Sequence, residues 1–436
     1  MQRFLRKTPA HRVWAVPTVS PTAPTEYPER FNFAHLSDIH FAGYAEGAVF
    51  DLESDIRNEL VLDLKQLVER AGSLDALLIG GDIAGKGKAS EYKVAERWIA
   101  ELCAEFGIPT ERVYCVPGNH DVYQQVIKDD PVLKTIQDSL LECRVDEINS
   151  RLEVLLSSGD HRALLLSALE PYNQFAAPYE CDMGISDLYW EQVVPFGQIK
   201  LQLIGLASPI VSGPSDVREP EASRLVIGPQ PQMIHRARDT FIIVLCHHPP
   251  SWLRDRESAE TFLRRAHLQL YGHQHSFDVG RSGAGLRIDA GAVHPGRDDD
   301  PWNPSYNLVS LHANGGEPSE VTVDVYARQL LPEMSFGPIS EEEDMTRETI
   351  SVKFEQAHGA PPAPLAEPPA TTTVDERELA QIYVSLSPDL RLRVAGNLGL
   401  LEEADDELPE NARLRKIFQT ARADERLAEL KDGLGV

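Results

Sequence analysis

The chain of 436 residues predicts a layered α/β fold followed by a small all-helical domain. Three observations carry that reading. Short apolar runs alternate with amphipathic helical stretches from residue 31 onward. Most of these runs lack clean apolar/polar alternation, as strands buried on both faces do. A helical period then returns at the C-terminus after a Pro-rich break.

Residues 1–30 hold Pro17, Pro21, Pro24 and Pro28 among polar neighbours and read as an extended or disordered leader. The expected strands are Phe31–Leu36, Ala76–Gly80, Val113–Val116, Lys200–Leu206, Phe241–Cys246 and Leu268–Tyr271. Helices are expected at Ile56–Arg70 and Glu91–Phe106. Between Tyr123 and Tyr189, Leu133, Ile136, Leu140 and Leu141 recur at helical spacing, as do Ile148, Leu152, Leu155 and Leu156. This is a helical insertion, about 123–189, placed where it could lie over a site. Leu286–Val293, Tyr306–His312 and Val321–Tyr326 follow with no helix between them, which predicts a mainly antiparallel stretch completing a second sheet.

Residues 331–374 are acidic and then rich in Pro, Ala and Thr, and read as a linker. Residues 375–436 recover a helical stripe through Leu379, Ile382, Tyr383 and Leu386, then Leu414, Ile417 and Phe418.

The chain carries 42 basic and 68 acidic side chains, a formal charge of −26 that weighs against a protein coating a nucleic acid backbone. It does not exclude a nucleic-acid enzyme, because bound cations supply local positive charge. Five widely spread cysteines without a C-x-x-C pair argue against a disulfide framework and for a reducing, cytoplasmic setting. No apolar run approaches the roughly 18 residues of a membrane span. The basic start MQRFLRKTPAHRVW has no apolar stretch behind it, so it does not read as a secretory signal.

The chemistry sits just after the strands. Phe33-Ala34-His35-Leu36 runs into Ser37-Asp38-Ile39-His40, and Leu77-Leu78-Ile79 into Gly80-Gly81-Asp82. Tyr114-Cys115-Val116-Pro117 runs into Gly118-Asn119-His120-Asp121. Val244-Leu245-Cys246 runs into His247-His248-Pro249-Pro250, and Leu270-Tyr271 into Gly272-His273-Gln274-His275. Ligands bind at the carboxyl ends of strands in open α/β sheets, so five such ends can converge on one place. On extended backbone, residues i and i+2 point the same way, which would let Asp38 with His40, and His273 with His275, each present two ligands. Imidazole, carboxylate and amide oxygen suit Mn²⁺, Fe, Zn²⁺, Co²⁺ or Ni²⁺. Each motif alone is weak; five in order, each at a strand end, are not.

This series resembles the calcineurin-like metallophosphoesterases over about residues 31–330. The resemblance implies a four-layer α/β/β/α sandwich and two divalent metal ions, Mn²⁺ first among the candidates. It implies that Asp38, His40 and His275 hold one ion, that Asn119, His247 and His273 hold the other, and that Asp82 bridges them. His120 would face the substrate and assist the leaving group, while a hydroxide shared by the ions attacks phosphorus in line. Asp121 would orient His120 through a ring nitrogen or cap the next helix. His247 is preferred to His248 because it directly follows the strand. Some branches place a further Asp three residues beyond Gly81-Asp82; here that position is Gly85, which resembles the branch of small phosphodiesterases.

The expected substrate is therefore a phosphoester, a small phosphodiester ahead of monoesters, phosphoproteins or nucleic acid. A non-catalytic scaffold is the rival of another class. Gly80–Lys88 is not a phosphate loop, since Gly87 stands where Ser or Thr is needed. Asp298-Asp299-Asp300 reads as a solvated turn before Pro301, and His294 either lines the rim or is a plain loop residue. The last sixty or so residues loosely resemble the death-like, effector-associated adaptor domains of bacterial conflict systems, which implies a protein partner through 375–436. A bundle that merely stabilises or dimerises the protein is the alternative.

Overall fold

The computed structural model describes residues 29–42, 53–183, 188–214, 216, 220, 223–237, 239–296, 299, 301–314, 320–340 and 344–352, with isolated positions between 395 and 421. The chain divides into two compact units, Met1–Gln356 and Ala357–Val436.

The first unit opens with β1 (Arg30–Leu36), α1 (Ser54–Ala71), β2 (Ala76–Ile79), α2 (Ala89–Phe106) and β3 (Val113–Cys115). The three strands are apolar, buried and parallel, and the two helices are the crossovers that parallel pairing requires. On α1, Leu60, Leu64, Leu67 and Ala71 form one buried stripe, and Gly72 ends the helix by donating its N–H to Val68 O at 2.7 Å. Five helices follow: α3 (Gln124–Asp129), α4 (Pro131–Glu142), α5 (Ile148–Ser157), α6 (Gly159–Leu166) and α7 (Glu170–Ala176). Asp130 starts α4 by accepting from the N–H groups of Val132 and Leu133, with Pro131 in the first turn where its missing N–H costs nothing.

The second half of the unit is β4 (Tyr189–Phe196), β5 (Ile199–Leu206), β6 (Thr240–Cys246), α8 (Arg256–Leu263), β7 (Leu268–Tyr271), β8 (Asp278–Ser282) and β9 (Gly285–Asp289). Then come β10 (Ser305–Asn314), β11 (Glu320–Leu330), β12 (Phe336–Pro338) and β13 (Thr346–Ser351). Two sheets result. One runs β12-β11-β10-β1-β2-β3, with β13 also on β11; the other runs β4-β5-β6-β7-β9-β8.

Side chains tie the sheets together at both edges. Trp190 of β4 donates Nε1–H to Cys115 O of β3 at 2.8 Å, and Arg281 of β8 pairs with Glu348 of β13. On the outside, α1 is fixed to the first sheet by a buried ion pair. Arg328 donates to both oxygens of Asp63, and Tyr306 O–H donates to Asp63 at 2.6 Å. Across the second sheet, Gln269 of β7 donates to Leu263 O at the end of α8. The order is thus helix, sheet, sheet, helix.

Three expectations need correction. The strands β10 and β11 do not complete the second sheet. They pair beside β1, whose free edge would otherwise bury unpaired backbone groups, with Phe31 opposite Leu311. The linker drawn at 331–374 begins too early. β12 and β13 both lie on β11, and Ile350 and Val352 are buried. Among the described residues of the insertion 123–189, the helical elements end at Tyr179, and Tyr189 opens β4. The leader 1–30 falls outside the described residues except for Glu29 and Arg30. So does nearly all of 375–436, although Ala395, Leu400, Ile417 and Ala421 are buried there.

Candidate metal centre

All seven expected ligands meet where the two sheets' strand ends adjoin. The loop after β1 brings Asp38 and His40, the loop after β2 brings Asp82, and the loop after β3 brings Asn119. His247 follows β6, and His273 and His275 follow β7. Backbone bonds lace the loops together: Asp38 N–H donates to Gly81 O, His40 N–H to Asp82 O, and Gly272 N–H to His247 O. Gly81 has φ +100°, and a Cβ there would stand 2.6 Å from His247 Nδ1, so no other residue fits.

The backbone that converges these side chains is not extended. Asp38, His40, Asp82, His273 and His275 all take φ between 50° and 70°; five of the eight positive-φ non-glycine residues among the described residues are candidate ligands. The i, i+2 argument for extended backbone therefore does not describe how these pairs are aimed. Left-handed turns aim both members of each pair, at a conformational cost of order 1–3 kcal/mol per residue that the surroundings must offset.

Each donor atom is oriented by its other end. Asp38 uses Oδ2 to accept from Ser37 O–H at 2.6 Å and His273 N–H at 3.1 Å, leaving Oδ1 for the centre. Asp82 accepts from His120 N–H through Oδ1 at 2.7 Å. Its Oδ2 lies 3.3 Å from His247 Nε2 and 4.0 Å from His40 Nε2, between the two histidines. His247 is held by Nδ1–H to Gly80 O at 2.8 Å. His275 Nε2 stands 3.2 Å from Asp38 Oδ1 and His40 Nε2 3.9 Å from it. Trp252 meets the His273 ring edge-on at 4.2 Å.

Do divalent cations fit? Asp38 Oδ1, His247 Nε2 and His273 Nε2 are buried polar atoms with no hydrogen-bond partner. Such orphans are costly unless a ligand completes them. Without ions, protons have to stand in. Burial works against charge on His247 and His275, but Asp82 and Asp38 outweigh it and raise them to about 9 and about 10. Burial likewise opposes ionised Asp38 and Asp82, yet the surrounding imidazoles hold both carboxyls well below the ordinary range. Burial wins at His40 and His273, lowered to about 4 and about 3, so their neutral rings are ready donors. The donor set fits divalent cations.

His120 is exposed at the rim, its ring 4.6 Å from that of His40 and its Nδ1 hydrogen-bonded to Gly85 O at 3.0 Å. The residue at the position of the missing Asp thus still supplies an acceptor, a neutral carbonyl. Asp121 neither bonds a ring nitrogen of His120 nor caps a helix. Its carboxylate accepts from Gly118, Ile83 and Ala84 N–H and from Tyr92 O–H at 2.7 Å, clamping the loop of Asp82 to that of Asn119. Burial, with Asp82 nearby, pushes Asp121 up to about 6.

His248 stands directly behind the centre. Ser208 accepts His248 N–H at 3.2 Å and meets its Nδ1 at 2.8 Å, while Nε2 reaches Asn119 Oδ1 at 3.1 Å. It also groups with His247 and His273. His294 does not line the rim. It is buried, and it pins its loop by N–H to Asp38 O and Nδ1 to Ile39 O. Arg254 serves structure, donating to Leu140, Leu141 and Cys143 carbonyls at the end of α4. Asp299, which in sequence reads as a solvated turn residue, reaches His275 Nδ1 at 2.6 Å. The signal that could have found it is an Asp shortly past β9, in a loop bonded to the Ser37-Asp38 backbone.

Residues 31–277 match the family model described as calcineurin-like phosphoesterase, and residues 375–434 that of the GTPase-associated adaptor domain. A curated relative, the uncharacterized metallophosphoesterase-like protein YydB of Bacillus subtilis, is 24% identical over 136 residues. That match spans 30% of this chain and 26% of YydB. Among solved structures, a single mutant of Vps29 from Entamoeba histolytica aligns with TM-score 0.29 and 12% identity, covering 74% of this chain and 99% of that one. GAP50 of Plasmodium aligns with TM-score 0.38 and 12% identity, covering 75% and 90%. At such scores the fold assignment stands on the sheet topology and the family match. The five cysteines are free, and no described helix is long and apolar enough to cross a membrane.

Proposed function

The chain belongs to the calcineurin-like phosphoesterase family, and from that premise we propose that it is a dinuclear phosphodiesterase. The observation that supports this best is the centre itself: seven donor side chains from two sheets, with buried donor atoms that lack a hydrogen-bond partner. In this reading Asp38, His40 and His275 would hold one ion, Asn119, His247 and His273 would hold the other, and Asp82 would serve both. When bound, the two ions supply an activated water and neutralise charge on the phosphoryl oxygens.

The chain's own residues do the rest. His120 stands outside the ligand set, at the rim, where a leaving-group oxygen can be met. With Nδ1–H on Gly85 O, its Nε2 is the atom left to exchange a proton with that oxygen. Asp121 and Tyr92 keep His120 in register by holding its loop against that of Asp82. The diester preference draws on Gly85 and on the charge. With −26 overall, the surroundings repel a dianionic monoester more than a monoanionic diester. The same charge disfavours long nucleic acids. Helix α4 is tied to the segments that follow β5 and β6, through Gln137 to Ile210 O and Arg254 to Leu141 O, and a helical insertion lying over the site would narrow approach and favour a small substrate. Residues 375–434 would recruit a protein partner, a GTPase being the class that the adaptor domain's name suggests.

The test is hydrolysis by metal-stripped protein resupplied with Mn²⁺, Zn²⁺, Ni²⁺ or Mg²⁺. Bis-p-nitrophenyl phosphate should be cleaved faster than p-nitrophenyl phosphate, with Asp82→Ala as the blank. A faster monoester reaction would replace the diesterase reading with a phosphatase. No turnover despite two bound ions would favour a scaffold.

A further inference from the structure

We infer that Asp299, which lies beyond the family-matched residues, is a positioning residue for the metal centre, setting the affinity of the ion held by Asp38, His40 and His275. The inference rests on the dinuclear reading above.

Asp299 Oδ2 receives His275 Nδ1–H at 2.6 Å and Gly296 N–H at 2.8 Å, and Asp299 N–H returns to Gly296 O at 2.9 Å. The carboxylate is thus held by Gly296 as well as by His275. Gly296 and Asp299 belong to a loop tied to the other ligand of the same group. Val293 N–H donates to Ser37 O, His294 N–H to Asp38 O, and His294 Nδ1 meets Ile39 O at 2.7 Å. One segment therefore braces Asp38 from behind by backbone and His275 from the side by a charge.

The bond to Asp299 places the His275 proton on Nδ1, so that Nε2 presents its lone pair 3.2 Å from Asp38 Oδ1. Two lone pairs at that distance repel unless a cation or proton lies between them. A carboxylate on the far nitrogen also makes an imidazole a stronger donor, and loss of such a partner typically costs about 10–100-fold in metal affinity. The contrast within the centre sharpens the point. The far nitrogen of His247 rests on a neutral carbonyl, Gly80 O.

The experiment is Mn²⁺ titration of the full-length, metal-stripped chain by calorimetry, with metal content after graded dialysis against a chelator. Wild type, Asp299→Ala, Asp299→Asn and the surface control Asp138→Ala are compared. Wild type and Asp138→Ala should show two sites. In Asp299→Ala the tighter site should weaken about 10–100-fold while the other is unchanged, with Asp299→Asn between, since an amide oxygen still accepts the proton. Superimposable thermal melts of the metal-free proteins separate this from misfolding; the Asp299 side chain is 35% exposed. Two unchanged sites in Asp299→Ala would overturn the role of Asp299 alone. Wild type that takes up no Mn²⁺ would overturn the dinuclear reading and this inference with it.

Discussion

The two halves of the centre are built from different materials. The half around Asp38, His40 and His275 has an ionised carboxylate of its own, a second carboxylate behind one imidazole, and a loop bonded to both. The half around Asn119, His247 and His273 has no carboxylate of its own. Its supports are neutral: a carbonyl behind His247, an imidazole behind Asn119 and an indole against His273. Asp82 is the single charge the halves share. The difference teaches that affinity and reactivity can be divided. In the two-ion reading, a charged, braced half would retain its ion, and a neutral half would hold its own loosely enough to exchange solvent or substrate oxygens.

The strongest way to break the comparison is to remove what the halves share. Asp82→Ala should leave less than one ion per chain and lower diester hydrolysis by more than about 10³-fold, read by metal analysis and initial rates. Two retained ions would show that Asp82 does not bridge. His120→Ala should keep both ions and lose about 10²–10⁴-fold in kcat, since only proton transfer is removed. Asn119→Ala should weaken one Mn²⁺ site about 10–100-fold and spare the other, and graded chelation of wild type should release the same ion first. Simultaneous release would erase the distinction between the halves.

The smallest expected effect concerns a histidine in the opposite situation to His275. His267 packs on Phe241, accepts Ile242 N–H through Nδ1 at 2.9 Å, and is lowered to about 4 by burial, with Arg236 adding to it. Between about pH 4 and 6.5 the unfolded chain binds a proton that the folded chain refuses, so stability rises with pH and is lost as pH falls through that window. His267's share of the loss should be on the order of 2 kcal/mol. Because His40 and His273 refuse a proton in the same window, that share is read as the difference between wild type and His267→Gln in the shift of urea midpoint of metal-free protein between about pH 7 and pH 4.

Much of this centre is legible in the sequence because its ligands sit where apolar strands stop. Leu78-Ile79 before Gly80-Gly81-Asp82 marks both the strand and the exit of its chain into a ligand loop. The hidden parts are those set by contacts distant in sequence. Asp299 reads as one of three aspartates before a proline, and only the fold carries it to His275, 24 residues back. Asp121 sits beside His120 in sequence yet bonds to backbone on the neighbouring loop. β4 is missed because its alternating, half-exposed pattern lacks an apolar run, and β13 because its charged residues face out from an edge. The left-handed backbone of five ligands leaves no mark, since Asp and His enter that region only when held there.

Because the candidate ligands come from both sheets, bound ions would also fasten one sheet to the other. Each bound ion adds its binding free energy to the cohesion of the folded chain, as any ligand exclusive to the native state does. A chain short of metal is then easier to pull apart where its strands end, and more readily reached by proteases through partial opening. Metal supply would thus set how long the protein lasts as well as how fast it works.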